Sequence, residues 1–73
     1  MPHIVVKLWP GHSEEEKTAM AREVVESAAK ALNAQPDWFT VGVEEVAPED
    51  WDETVVRPEI QGKAHTLYYP SNK

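Results

Sequence analysis

Apolar positions alternate in the first part of the chain. His3 to Trp9 reads HIVVKLW, with Ile4, Val6 and Leu8 at period two, the spacing of one face of a β-strand. Val5 falls on the other face, so both faces are partly apolar, as suits a strand covered on two sides. Pro10-Gly11 closes the run with turn-forming residues. Ser13-Glu14-Glu15-Glu16 follows. It is a capping box, in which the Ser13 hydroxyl accepts from the Glu16 backbone N–H and the Glu16 carboxylate accepts in return from Ser13. Met20, Val24, Ala28 and Leu32 then recur every fourth residue, joined by Ala21, Val25 and Ala31. That is a single apolar stripe on a helix of about five turns, with Asn33 and Pro36 marking its end. Phe39 to Val46, FTVGVEEV, returns to period two and predicts a second strand. Gly42 inside it predicts a bulge or a close backbone approach.

The remainder is less regular. Pro48-Glu49-Asp50-Trp51 reads as a turn or a helical start, and Asp52 to Val56 as at most one further helical turn. Arg57-Pro58 should break it, because the residue before proline avoids the α region. Ile60 to Tyr69 fits either a short helical stripe or irregular chain, with Gly62 weakening the former, and Pro70 to Lys73 is expected to fray. A long helix between two strands lets them lie parallel. The fold class expected is therefore α/β: a β-α-β subunit with two parallel strands, one long helix and a short helical C-terminal segment. Residues 1–73 are expected to form a single domain. Two strands do not make a stable sheet alone. The expected remedy is a homo-oligomer, with a four-stranded sheet per dimer.

Composition narrows the function. Seventy-three residues bury only about 60% of their unfolded surface, and the absence of cysteine removes disulfides and thiolate zinc sites as staples. That absence also fits a cytoplasmic protein. Seven Lys and Arg stand against 13 Asp and Glu, for a formal net charge of −6. Such a surface repels phosphate backbones and anionic lipid, so neither nucleic acid nor a membrane is an expected partner. No apolar run approaches the ~20 residues of a membrane span, and no signal peptide is expected, since a basic stretch followed by an apolar one is missing at the start. The three histidines, His3, His12 and His65, have no regular spacing and carry no zinc signature.

One residue carries candidate chemistry of its own. Pro2 follows the initiator methionine. Inside a chain its nitrogen is an amide without basicity. Once Met1 is removed it becomes a secondary amine. Amines lose pKa in an apolar pocket or near another cation, since both disfavour the charged form, and an unprotonated amine near neutral pH can act as a general base. Many chains begin Met-Pro without using the amine, so the dipeptide alone settles nothing.

Context adds to it. PHIVVKLWPG at the start, then EEVAPEDW, then RPEIQGK resemble short bacterial members of the 4-oxalocrotonate tautomerase family, in the tautomerase superfamily. The resemblance extends to about Lys63. It implies a β-α-β subunit assembled as dimers or as hexamers of dimers, and enol–keto tautomerisation of 2-oxo acids without metal or organic cofactor. Pro2 matches the family's catalytic amino-terminal proline, and Trp51 stands where the family has an aromatic residue lining the pocket. The arginine that well-known members carry between the glycine and the serine after the first strand is here His12, and a second arginine near the start of the second strand corresponds to Thr40. Those arginines bind substrate carboxylates or draw electrons towards the carbonyl end. With His12 and Thr40 in their places, a monoacid enol such as an aryl- or alkyl-pyruvate enol is the expected substrate rather than a dicarboxylate.

Other readings of the same residues are plainer. Trp51 is more often a core or interface aromatic, Trp9 and Trp38 read as packing or subunit contacts, and His12 beside a turn is usually a solvated loop histidine. His3 and His65 read as surface or edge residues. Glu44 and Glu45 point to opposite strand faces and cannot work as a carboxylate pair. Lys7 and Arg57 read as salt-bridged surface residues, and Ser13 as a cap. Two alternatives to the tautomerase stay open: a hydratase or decarboxylase of the same fold using protonated Pro2 as an acid, and a non-catalytic oligomeric binding module. A dimer is expected over a hexamer, because Val55 to Tyr69 would cover the surface that hexamers use between dimers.

Overall fold

The computed structural model describes residues 1–70; Ser71, Asn72 and Lys73, on which most of the expected fraying falls, lie outside the described residues. Strand β1 spans His3–Leu8, helix α1 Glu14–Leu32, strand β2 Thr40–Glu45 and helix α2 Pro48–Trp51. The strands are parallel, with His3 opposite Thr40 and Leu8 opposite Glu45. Because paired residues share a face, Ile4, Val6, Leu8, Val41 and Val43 form an inner face beneath α1. His3, Val5, Lys7, Thr40, Gly42 and Glu44 form the outer one.

The helix begins where its capping box predicts. Ser13 Oγ accepts from the Glu16 N–H at 3.0 Å, and Glu16 Oε1 accepts from the Ser13 N–H at 2.9 Å. It ends at Asn33, whose φ of 54° places it in the left-handed region, which asparagine tolerates better than most residues. Ala29 of α1 is buried, as is Phe39 immediately before β2. Phe39 thus anchors the entry to the strand, which is one residue shorter at each end than its alternation suggests. Helix α1 packs more closely on β2 than on β1. An apolar cleft of about 200 Å³ therefore remains beside β1, lined by Val6, Leu8, Met20 and Lys17, with His12 and Glu16 at its mouth.

Two local expectations are corrected. Gly42 pairs with Val5 without interrupting the register, so it is no bulge, and a Cβ placed on it would meet nothing within 4 Å. The glycine opens a shallow gap beside Val5, itself 43% exposed. Second, Pro58 does not end the C-terminal helix. Past α2 the chain continues through Asp52–Gln61 in wide turns of π type. In an α-helix the proline ring strikes the carbonyl four residues back; wider turns move that carbonyl away. The segment closes with the Gly62 N–H donating to the Arg57 carbonyl at 2.8 Å, five residues back. A Cβ on Gly62 would sit 2.6 Å from the Pro58 carbonyl oxygen, so glycine is required at this stop. Ala64–Thr66 adds a single 3₁₀ turn, which settles the ambiguous tail as mostly irregular chain.

The C-terminal segment lies against the outer face. Val55 is buried, and Glu59 reaches Lys7 at 3.5 Å. Between segment and sheet is a cleft of about 580 Å³ lined by Val5, Lys7, Trp51, Val55, Ile60 and Lys63, together with Glu44 and Glu59.

Candidate active site

Pro2 sits at the head of β1, half-buried, and its carbonyl accepts from the Thr40 N–H at 3.2 Å. Met1 ahead of it is 96% exposed. One backbone bond thus ties the residue that carries the candidate amine to the first residue of β2. The side chains add a second tie, because His3 Nδ1 lies 2.7 Å from Thr40 Oγ1. Pro2, His3 and Thr40 form one cluster at the starting ends of the two strands.

His12 and Trp51 come after the far ends of the strands. His12 follows β1, about 20 Å or one strand length from Pro2; Trp51 follows β2 and sits over the outer face, where it lines a cleft with Val5 and Lys7. Trp51 is half-buried, with its ring edge-on to Trp9 at a centroid distance of 6.4 Å and an interplanar angle of 86°. His12 Nδ1 stands 3.9 Å from Glu16 Oε1. The Ser13 N–H holds the Glu16 carboxyl below its ordinary range, and His12 adds to that effect. A substrate carboxylate approaching His12 would compete with this glutamate. A single chain therefore brings Pro2 and Thr40 together but leaves His12 apart from them.

The cations on and around the outer face, and Lys17 of α1, are engaged. Lys7 lies between Glu44 at 3.8 Å and Glu59 at 3.5 Å, Lys63 reaches Glu59 at 3.3 Å, and Arg57 reaches Asp52 at 3.1 Å. Lys63 is the chief cause of a lowered Glu59 pKa. Lys17 bridges Glu14 at 2.7 Å and Glu45 at 3.2 Å, and these acids raise its pKa. Glu45 thus belongs to α1 and Glu44 to the outer face, as strand alternation requires. Among the described residues no group of three His, Asp or Glu is arranged to hold a metal ion, and no helix is long and apolar enough to cross a membrane.

Sequence reasoning set His3 aside as a surface residue. The signal for its pairing was the register: if both strands start together, the polar residue heading each one faces the other across the sheet.

Comparison with known proteins bears on the family and the fold. The family model described as "Tautomerase enzyme" matches residues 2–58. The tautomerase PptA of Pectobacterium atrosepticum is 37% identical over 68 residues, covering 92% of this chain and 90% of that protein. A probable tautomerase of Xylella fastidiosa is 33% identical over 67 residues, covering 92% and 82%. Among solved structures, an apo "unFused 4-OT" superposes with a TM-score of 0.64 at 28% identity, over 67% of this chain and 80% of that one.

Proposed function

Because the chain belongs to the tautomerase family and its function is of tautomerase type, we propose that it interconverts the enol and keto forms of a 2-oxo acid, using the Pro2 amine as general base after removal of Met1. The observation that carries this reading is the placement of Pro2. It is half-buried and tied by its carbonyl to Thr40, while Met1 projects into solvent where it can be cleaved. Hydrolysis of the Met1–Pro2 bond turns an amide nitrogen into a secondary amine at a fixed position. That amine takes the proton from the enol hydroxyl and delivers it to C3, so the proton is conserved and no cofactor enters. Negative charge gathers on the enolate oxygen meanwhile, and donors aimed at it lower the barrier. Thr40 and backbone N–H groups are the donors nearest Pro2.

The pocket is completed by a second copy. The chain exposes 5792 Å², where a compact monomer of 8.2 kDa exposes roughly 4,500 Å². Trp9 is 54% and Trp38 48% exposed, and the inner face of β1 is only partly roofed by α1. Two copies related by a two-fold axis and joined through their β1 edges pair antiparallel. The Pro2 end of one then meets the His12 and Trp51 end of the other. The apolar ring of Trp51 beside the amine would disfavour its protonated form. The C-terminal segment already occupies the outer face, which favours a homodimer over a hexamer. With Lys7, Arg57 and Lys63 paired to acids, and Thr40 and His12 in the family's arginine positions, a monocarboxylate is the preferred substrate.

The test is ketonisation of phenylenolpyruvate, followed by loss of enol absorbance with and without a chelator. Intact mass of the purified protein and its oligomeric mass by light scattering are measured alongside. A rate above buffer, indifferent to the chelator, is expected from protein lacking Met1. Pro2→Ala should keep the fold and the oligomer but lose ~10²–10⁴-fold in rate, the usual worth of a general base. Retention of Met1 in active protein, or equal activity of the variant, would overturn the role of Pro2. An undetectable rate would favour the binding module.

A further inference from the structure

The His3–Thr40 contact constrains the hydroxyl next to Pro2. A threonine hydroxyl has one hydrogen to give and two lone pairs to receive. At 2.7 Å the His3 Nδ1 and Thr40 Oγ1 share a short hydrogen bond, and a single proton lies between them. If Nδ1 is bare, that proton is the hydroxyl's own, and Thr40 then turns only lone pairs towards the solvent. A carboxylate or enolate oxygen arriving there meets lone pairs and is repelled. If Nδ1 carries a proton, the imidazole donates to Oγ1 and the hydroxyl hydrogen is free to point at the substrate. Both side chains are exposed on the outer face, so an anion can reach the pair.

We propose that His3 is a positioning residue for the substrate's anionic group, its Nδ1 deciding whether the Thr40 hydroxyl offers that group a hydrogen or a lone pair. In the imidazolium form His3 also supplies a positive charge near Pro2, on a face where Lys7 and Lys63 are held by acids. Anion binding is then strongest with the imidazolium, which always carries a proton on Nδ1, whereas a neutral ring does so in one of its two tautomers and brings no charge. The Pro2 base has the opposite need, since it must be unprotonated. Binding and proton transfer therefore pull in opposite directions along the pH axis.

Few other charged groups bear on this pair among the described residues. Lys7 and Glu44 share its face, four residues along the strands, and pair with each other. From the C-terminal segment Glu59 and Lys63 face Lys7. Asp37 precedes Thr40 in the turn into β2, and the chain's amino end adjoins His3. Helix α1 packs on the opposite face, where Lys17 is held by Glu14 and Glu45 and where Arg22 and Glu26 line a cleft with Val41 and Pro36.

This role presupposes the Pro2 chemistry, so the experiment separates the two. KM and kcat for phenylenolpyruvate are measured across pH in the wild type, His3→Asn, Thr40→Val and Thr40→Ser. Asparagine places an amide near the Nδ1 position that can donate at every pH. Wild-type KM should rise roughly three- to tenfold from about pH 5.5 to about pH 8, the range of an exposed charge-assisted hydrogen bond. His3→Asn should flatten that rise, Thr40→Val should give a high and flat KM, and Thr40→Ser should restore the wild-type profile. A structural role for His3 would not remove a pH dependence of KM while leaving kcat tied to Pro2. Binding of cinnamate, a planar monocarboxylate, is followed by NMR over the same range in wild type, His3→Asn and Pro2→Ala. Its affinity should fall with pH in wild type and in Pro2→Ala but not in His3→Asn, whether or not turnover is seen. An unchanged KM profile in His3→Asn, or cinnamate binding that is absent or independent of pH in wild type, overturns the proposal. Inactive wild type that still shows the cinnamate profile overturns the Pro2 chemistry alone.

Discussion

The separation of Pro2 from His12 by about one strand length makes a quantitative prediction about mixed assemblies. One variant carries Pro2→Ala. A second carries His12→Ala and Trp51→Ala, which together silence the far end. Each alone should be nearly inactive. If every pocket takes Pro2 from one chain and His12 with Trp51 from its neighbour, equimolar mixing after unfolding yields intact pockets by statistics. A pocket is whole when its Pro2 chain is the second variant and its neighbour is the first. Each condition holds for half the chains, so about one quarter of pockets are wild type, whether the assembly is a dimer or a ring of dimers. The assay is phenylenolpyruvate ketonisation by the refolded mixture, with native mass confirming mixed assemblies and circular dichroism confirming that each variant folds. Recovery of about one quarter of the wild-type rate is expected. Mixed assemblies that form yet show no recovery would refute the shared pocket. Full activity in the second variant would remove His12 and Trp51 from the site, and a folded, active monomer would defeat the whole arrangement.

Two further outcomes follow from the charges. His12→Arg restores the residue type of the better-known family members, so the kcat/KM ratio of 2-hydroxymuconate to phenylenolpyruvate should rise roughly tenfold; a wild type that already prefers the dicarboxylate would show that another cation reaches the pocket. For stability, Glu16 and Glu59 have pKa values lowered from 4.5 by the Ser13 N–H and by Lys63 respectively. A lowered carboxylate contributes stability above its unfolded pKa and loses it as pH falls through the folded value. The thermal midpoint should therefore drop as pH falls from about 6 to about 3, and less steeply in Glu16→Gln/Glu59→Gln. Lys17 has the opposite sign: its pKa is raised from 10.5 by Glu14 and Glu45, so its contribution is complete below that value and disappears only in strong alkali.

What could be read from the sequence and what could not divide along the range of the interactions involved. The start of α1 depends on Ser13 and Glu16, three residues apart, and its buried stripe on a period of about 3.6 residues. Both are visible in any short window; the cap holds, while the stripe is half-buried from Met20 to Ala28, is exposed at Ala31 and Leu32, and leaves Ala29 beside it as the buried position. The alternation of β1 and β2 is equally local. Pro58 misled because the rule for the residue before proline assumes α geometry, whereas wide turns satisfy the same chain without the clash, a choice supported by Val55 burying itself and Gly62 closing the segment. Gly42 misled because a bulge is a property of two paired strands rather than of one.

The candidate site is the extreme case. Pro2, His12, Thr40 and Trp51 are candidates by family resemblance and order along the chain, which carry no distance. Their division into two ends appears only once the parallel register places His3 opposite Thr40. A parallel β-α-β unit must put the starts of both strands at one end and whatever follows them at the other. Residues taken from a strand start and a strand finish are then brought together most directly across an interface. On the proposed reading, weak monomer packing becomes a functional requirement. Ala29, Phe39 and Val55 make up the buried apolar core among the described residues, and the surface left open beside β1 is where a second chain would both complete the sheet and bring its Trp51 to Pro2.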